Sequence, residues 1–178
     1  ETNAANPRYL HVSVKAQKGE FGLENEGFRG MGFKENLEYE FSVWSKSATG
    51  NLVLHIEMLD AKGEVIGSTT LAPIDSKMWN KQTVTFPCHA TEPKGSLRIW
   101  FVGNGSADLD MISLFPTDTW KKRPGGLRAD LVQLLADMKP GFMRFPGGCI
   151  VEGHELSTRY QWKKTFGPVE ERQVNINR

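Results

Sequence analysis

The sequence predicts a mostly β fold: an antiparallel β-sandwich of the jelly-roll kind, followed by the first helix and strand of a βα-type sheet or barrel. From Tyr9 to about Phe115, apolar residues alternate with polar ones at period two, which is typical of half-buried strands. Clusters of Gly, Asn, Asp and Pro separate the alternating segments and favour chain reversals. After "LFPTDTWKKRPGG" the period becomes that of an amphipathic helix.

Four segments show the alternation most clearly. In the first of them, Tyr39, Phe41 and Val43 share one face, while Glu38 and Glu40 share the other. The segments are "LEYEFSVW", "NLVLHIEML", "QTVTFP" and "SLRIWFV", and the predicted turns are "SATGN", "DAKGE", "TEPKG" and "GNGSAD". Short strands with regular turns favour a jelly-roll sandwich over residues 1–117.

A single helix–strand unit follows the predicted sandwich. Pro140 and Gly141 end the helix, and "FMRF" after them predicts a short strand. One such unit cannot bury its apolar face, so we expect residues 118–178 to be the first part of a larger domain that continues beyond Arg178. The apolar stripe of the helix consists of Leu127, Leu131, Leu134, Leu135 and Met138.

Composition excludes several classes of partner. Lys and Arg number 22 against 21 Asp and Glu, so the net charge of +1 provides no field that would attract nucleic acid or an anionic membrane. No apolar run approaches the roughly 20 residues of a membrane-spanning helix. Cys88 and Cys149 lie far apart without a C-x-x-C pair, so we expect neither a zinc site nor a disulfide framework. The sequence leaves open whether the chain assembles into a homo-oligomer.

The segment "RFPGG" is the first candidate functional motif. If it ends a barrel strand, it lies at the edge where active sites form. Arg144 offers a planar fork of donors for carboxylates or sugar hydroxyls, and Gly147 and Gly148 permit positive φ and close approach of a ligand. A purely structural alternative stays open, in which the arginine pairs with a carboxylate inside the barrel and the glycines serve a tight turn.

Longer stretches of sequence carry a family resemblance. The segments "SLFPTDTW", "GLRADLVQLLADMKPGFMRFPGGCIVEG", "RYQWKKTFGPVEER" and "NINR" resemble the α-L-arabinofuranosidases of glycoside hydrolase family 51 over residues 113–178. The first half, with "EGFRGMGFKENLEYEFSVWSKS" and "ADLDMISLFP", resembles a carbohydrate-binding-type jelly roll. The resemblance implies a (β/α)8 catalytic barrel that begins at residue 118 and is incomplete here. It also implies a retaining, exo-acting enzyme that removes arabinose from arabinan or arabinoxylan. The location is not determined by the sequence, and an extracellular or periplasmic one is favoured.

The resemblance implies roles for individual residues. The motif arginine supports the arabinose subsite, Cys149 contacts the sugar ring where many family members have asparagine, and Trp162 lines the wall. Glu152 faces the pocket or, alternatively, caps the following loop. The predicted substrate-binding residues are Arg144, Gly147, Gly148, Cys149, Glu152 and Trp162.

The two carboxylates of the reaction are not expected in this chain. Retaining glycosidases need two carboxyl groups about 5–5.5 Å apart. Glu170 and Glu171 are adjacent in sequence, so their side chains would point in different directions. Glu152 and Glu155 are no better supported as a catalytic pair. The resemblance implies that the acid/base and the nucleophile lie beyond Arg178, so we expect the chain alone to be inactive.

The sandwich offers weaker candidates. Trp44 and Trp100 lie opposite the main apolar sets of their strands and could stack on sugar rings, although a tryptophan near a strand end more often covers the core. Asp108 and Asp110 suggest a structural calcium ion, with a solvated strand edge as the alternative; no other cofactor is expected. A non-catalytic carbohydrate-binding or structural module is therefore the alternative to the enzyme.

Overall fold

The structure, a computed structural model, describes residues 7–144, 147–148 and 151–172. These residues form seven strands and one α-helix, with short 3-10 helices at Trp120–Lys122, Trp162–Thr165 and Val169–Glu171. The strands are β1 (Leu10–Ala16), β2 (Gly22–Asn25), β3 (Met31–Phe33), β4 (Glu38–Leu59), β5 (Val65–Thr70), β6 (Asn80–Pro87) and β7 (Glu92–Pro116), and the helix is α1 (Ala129–Asp137).

Two long strands, β4 and β7, organise the sheet. They pair with each other along almost their whole length, from Tyr39 opposite Pro116 to Leu59 opposite Ser96. β6 and β5 pair with the two ends of β4, while β1, β2 and β3 pair with β7. Every one of these pairings is antiparallel, which confirms the predicted antiparallel, mostly β architecture.

Two of the predicted turns are wrong, because "SATGN" and "GNGSAD" lie inside β4 and β7. Gly50 has φ 60° and Gly103 has φ 127°, and the register shifts between Ser47 and Thr49. Gly50 pairs with Gly105, and a Cβ on either glycine would overlap a carbonyl oxygen of the opposing strand. The residues that suggested reversals therefore let the paired strands bend and approach closely.

The other two predicted turns have different outcomes. "DAKGE" is confirmed as a turn, since Asp60 N donates to Glu64 O at 2.9 Å and Gly63 N donates to Asp60 O at 3.0 Å. "TEPKG" is instead largely the beginning of β7, which starts at Glu92. Strand pairing with β3 stabilises this extended start, because Met31 lies opposite Gly95.

The sheet folds over on a single hydrophobic core. Phe41 and Leu54, near opposite ends of β4, are both fully buried in it. Gly67 of β5 lies against β6, because a Cβ there would be 2.6 Å from Pro87 O, and His89 N donates to Ile66 O at 2.7 Å. β5 and β6, which pair with opposite ends of β4, are therefore in contact with each other, and the folded sheet surrounds the hydrophobic core. The strand order of a jelly roll stays a prediction.

The chain divides into two compact units. One unit is Tyr9–Val132, and the other consists mainly of Gln133–Arg178. The predicted domain boundary between residues 117 and 118 stays a prediction. In the described part of the chain, no helix is both long and apolar enough to span a bilayer.

The predicted helix is confirmed, but the strand predicted after it is not. α1 ends at Asp137, shortly before Pro140, and Lys139 adopts φ 45°. Its apolar stripe is exposed, with Leu127 at 73% and Met138 at 72%. Residues 142–144 form no strand. A parallel strand needs a neighbouring strand to satisfy its backbone hydrogen bonds, and this segment has none among the described residues.

Candidate functional site

Arg144 and Gly147 lie next to each other in the predicted motif. A Cβ at Gly147 would be 3.7 Å from Arg144 Nε, so the glycine backbone faces the guanidinium. Gly147 has φ 89° and Gly148 has φ 74°, which confirms the predicted positive φ. Arg144 is exposed to solvent. The motif therefore presents a cation beside backbone that only glycine adopts without strain.

Phe145 and Pro146 of the motif, and Cys149 directly after it, lie outside the described residues. The thiol contact predicted for Cys149 and the isomer of the Phe145–Pro146 peptide bond stay open.

Glu152 precedes a loop that is closed by its own hydrogen bonds. Gly153 has φ 65° and packs tightly, since a Cβ there would be 2.6 Å from Arg159 N. Thr158 Oγ1 accepts hydrogen bonds from His154 N at 3.1 Å and from Glu155 N at 3.0 Å. Thr158 thus closes this loop, the Glu152 side chain is exposed, and the role of Glu152 in the pocket stays a prediction.

Trp162 begins a 3-10 helix and keeps 53% of its surface exposed. Its ring meets the ring of Phe166 edge-on, at a centroid distance of 5.1 Å and an angle of 89°. Edge-to-face packing of this kind orients an indole while leaving ring surface open. In the next turn, Arg172 Nε and Nη2 donate to Gly167 O at 3.3 and 3.1 Å.

Trp100 is part of a charged network on the sheet. Its Nε1 donates to Glu57 Oε2 at 2.9 Å, and the Arg98 guanidinium lies 5.2 Å from its ring centroid. Lys18 Nζ lies 2.8 Å from Glu57 Oε1. Burial by itself raises the pKa of Glu57, but the hydrogen bonds from Lys18 and Trp100 and the nearby positive charges outweigh it, so this pKa is lowered. Sugar stacking by Trp100 stays a prediction.

Trp44 has a buried indole nitrogen. Within the described residues, Trp44 Nε1 has no hydrogen-bond partner, and the same is true of Gln82 Oε1. An unsatisfied buried donor costs free energy, so the indole is held in place by packing. Its proposed contact with sugar also stays a prediction.

The two acidic residues near the end of β7 have cationic or backbone partners. Asp108 is 6% exposed and contacts His11 Nδ1 at 2.6 Å and Lys46 Nζ at 3.2 Å. Burial raises its pKa, but these two partners outweigh burial and lower it overall. Asp110 Oδ1 accepts from Met111 N at 2.7 Å. The residues that the structure describes contain no cluster of three or more His, Cys, Asp or Glu suited to a metal, and calcium stays a prediction.

Sequence reasoning missed an aromatic pair beside Asp108. Tyr9 and Trp79 meet edge-on with centroids 5.7 Å apart, and Lys46 Nζ lies 5.3 and 5.0 Å from the two ring centroids. The Lys46 ammonium is therefore within cation–π distance of both rings while it also contacts Asp108 at 3.2 Å. No sequence signal joins these residues, because the fold brings them together from three distant segments.

Comparison with known proteins identifies related chains. Residues 134–178 match the family model described as "Alpha-L-arabinofuranosidase 1 domain". The chain is 35% identical to an extracellular exo-α-L-arabinofuranosidase of Streptomyces chartreusis, with 98% of this chain and 22% of that protein covered. It is 37% identical to α-L-arabinofuranosidase 1 of Arabidopsis thaliana, with 86% and 23% covered. The chain thus spans less than a quarter of the length of these two relatives.

A solved structure agrees with these relatives. An arabinose-bound α-L-arabinofuranosidase of family 51 superposes with a TM-score of 0.81 and 30% identity, over 97% of this chain and 30% of that one. The chain is thus similar over almost its whole length to α-L-arabinofuranosidases of glycoside hydrolase family 51, as the sequence resemblance predicts.

Proposed function

We propose that the whole protein containing this chain is a retaining, exo-acting α-L-arabinofuranosidase that removes terminal arabinofuranosyl groups from arabinan or arabinoxylan. The observation that carries the proposal is the superposition of 97% of this chain on an arabinose-bound enzyme of the family. The names of the relatives from Streptomyces chartreusis and Arabidopsis thaliana support the same activity.

The motif and the loops after it supply part of the arabinose subsite in this proposal. The Arg144 guanidinium donates to sugar hydroxyls, the adjacent glycines allow the ring to approach the backbone, and Trp162 forms one wall. Support comes from the exposure of Arg144 and its position beside Gly147. Glu152 and Cys149 complete the proposed set of contacts.

The catalytic acid/base and nucleophile are proposed to lie outside this chain. Residues 118–178 then form the start of the (β/α)8 catalytic domain, which the match of residues 134–178 to the arabinofuranosidase family model supports. By itself the chain binds part of the sugar and does not cleave it, because retention needs two carboxyl groups on opposite sides of the anomeric carbon.

An extracellular location is part of the proposal. The relative from Streptomyces chartreusis is named as extracellular, and plant polysaccharides are too large to enter a cell intact. Immunodetection of the whole protein in the culture medium and in cell fractions tests this point.

The activity is tested with the whole protein and 4-nitrophenyl α-L-arabinofuranoside. Release of 4-nitrophenol is expected, and proton NMR should show α-arabinofuranose as the first product, since two inversions retain configuration. Arg144→Ala should lower kcat/KM by about 10–100-fold, the effect of a lost charged hydrogen bond. Arg159→Ala, at another exposed arginine of the same unit, is the control. Absence of hydrolysis by the wild-type protein would refute the proposed function.

A further inference from the structure

The turn between β2 and β3 holds one aromatic ring in solvent. Phe28 is 94% exposed at the tip of this turn. Gly27 N donates to Asn25 Oδ1 at 2.9 Å, and Gly30, at φ 90°, packs so closely on β7 that a Cβ would lie 2.9 Å from the Lys94 carbonyl carbon. The backbone of the turn is therefore packed against the sheet, and its tip presents the Phe28 ring to solvent.

A cleft of about 360 Å³ lies beside this ring. It is bounded by the β2–β3 turn, the β4–β5 turn and the start of β7, and charges of both signs line it, from Glu24, Glu26, Arg29, Asp60 and Lys94. Among the described residues, the Glu26 carboxylate and the Lys94 ammonium form no ion pair with any other side chain. Hydrogen-bond donors and acceptors are thus available side by side.

The Arg29 guanidinium adds donors next to the ring, 5.7 Å from the Phe28 centroid. An apolar face beside mixed donors and acceptors matches a neutral sugar, which has C–H faces and a rim of hydroxyl groups. A polyanion would meet three carboxylates in this cleft, and an apolar peptide would desolvate its charges without pairing them.

We propose that this cleft, with Phe28 as its stacking platform, is a second sugar-binding site that holds the polysaccharide chain and shares no residue with the proposed arabinose subsite. The choice of an arabinose-substituted polysaccharide as the ligand rests on the proposed function. The other aromatic candidates are less open: Gly22 packs against the Trp100 ring, which the Arg98 guanidinium also approaches, and Lys46 lies over the Tyr9–Trp79 pair.

The test uses the whole protein in affinity electrophoresis through gels that contain soluble arabinoxylan or arabinan. Phe28→Ala should weaken the retardation, with the apparent Kd raised about tenfold, as for a single well-placed contact residue. Phe28→Trp should retain binding, because the indole provides an aromatic face at the same position. Met78→Ala, which removes another side chain that is 79% exposed on the same unit, is the matched control.

Hydrolysis of 4-nitrophenyl α-L-arabinofuranoside is measured in parallel and should be unchanged in Phe28→Ala, since Phe28 is not part of the proposed arabinose subsite. If Phe28→Ala and wild type are retarded equally in the polysaccharide gels, the proposed sugar-binding site is refuted. A lower melting temperature of Phe28→Ala with unchanged retardation would also overturn it, because the ring would then pack on another part of the protein. If the wild-type protein does not hydrolyse the small substrate, the proposed activity is refuted. Retardation in the polysaccharide gels would then still show whether the cleft binds sugar.

Discussion

Trp100 on β7 and Glu57 on β4 are diagonal neighbours across the paired strands, and the indole Nε1–H donates to the carboxylate at 2.9 Å. Glu57 is only 4% exposed, and its second oxygen is held by Lys18 at 2.8 Å. The orientation of this tryptophan is therefore fixed by a buried charge, and the charge is stabilised by the tryptophan and the lysine together.

Replacing that charge should destabilise the sheet. Glu57→Gln keeps the shape of the side chain but leaves Lys18 without its counter-charge, so we expect the free energy of unfolding to fall by about 1–3 kcal/mol. Urea denaturation of the 178-residue chain measures the change. The exposed Glu64→Gln should remain within about 0.5 kcal/mol of wild type. A Glu57→Gln curve that coincides with wild type would show that the network contributes nothing.

Acid should destabilise the chain through Glu57 and Asp108. Both carboxyl groups have folded-state pKa values below their ordinary values, so each contributes stability above its unfolded-state pKa and loses it as the pH falls through the folded-state pKa. The stabilising contribution of these two carboxyl groups should be steady from pH 7 to pH 5 and should fall below about pH 4, which melting temperatures measured over this range check. Asp108→Asn should be less stable at pH 7 and should show a flatter decline in acid. If the melting temperature of Asp108→Asn falls in acid as steeply as that of wild type, Asp108 does not contribute to the acid sensitivity.

The close approach of β4 and β7 should not tolerate a methyl group. In Gly105→Ala the new Cβ would overlap Thr49 O, with no relief from a flexible side chain, so we expect a loss of about 2 kcal/mol or more. Gly32→Ala is the control, because a Cβ at that strand glycine would meet nothing within 4 Å. Thermal unfolding by circular dichroism compares the two. Similar melting temperatures would mean that the strands separate easily at this point.

Truncation of Trp162 should weaken substrate binding. Trp162→Ala in the whole protein should raise KM for 4-nitrophenyl α-L-arabinofuranoside about tenfold, equivalent to roughly 1.4 kcal/mol, while Trp162→Phe keeps most of the contact. Leu156→Ala, at a side chain that is 77% exposed in the same unit, should leave KM unchanged. An unchanged KM in Trp162→Ala would remove this residue from the proposed subsite.

Period-two alternation predicted the strands and their buried faces well, because burial of one face forces that pattern. Tyr39, Phe41 and Val43 are buried as expected. Turn chemistry was less reliable: glycine and asparagine permit positive φ both where a chain reverses and where a long strand bends. Only the pairing of Gly50 with Gly105, which is remote in sequence, distinguishes the two cases.

The candidate site was only partly accessible to sequence reasoning. The "RFPGG" motif was found because it combines a cation with adjacent glycines, and its positive φ values followed from residue type. The helix was recognised from its stripe, but the following strand depends on neighbours that local sequence does not supply. Phe28 was missed as a site residue, because a lone aromatic in a turn has no periodicity that marks it as exposed.

The ladder between β4 and β7 has a kinetic consequence. Its hydrogen bonds join residues distant along the chain, from Tyr39 with Pro116 to Leu59 with Ser96, so loop-closure entropy is lost before most native contacts form. Such topologies fold over milliseconds to seconds. β5 and β6 precede β7 and pair with β4, but the edge of β4 that pairs with β7 has no partner until β7 leaves the ribosome, and this incompletely paired strand is meanwhile a target for chaperones.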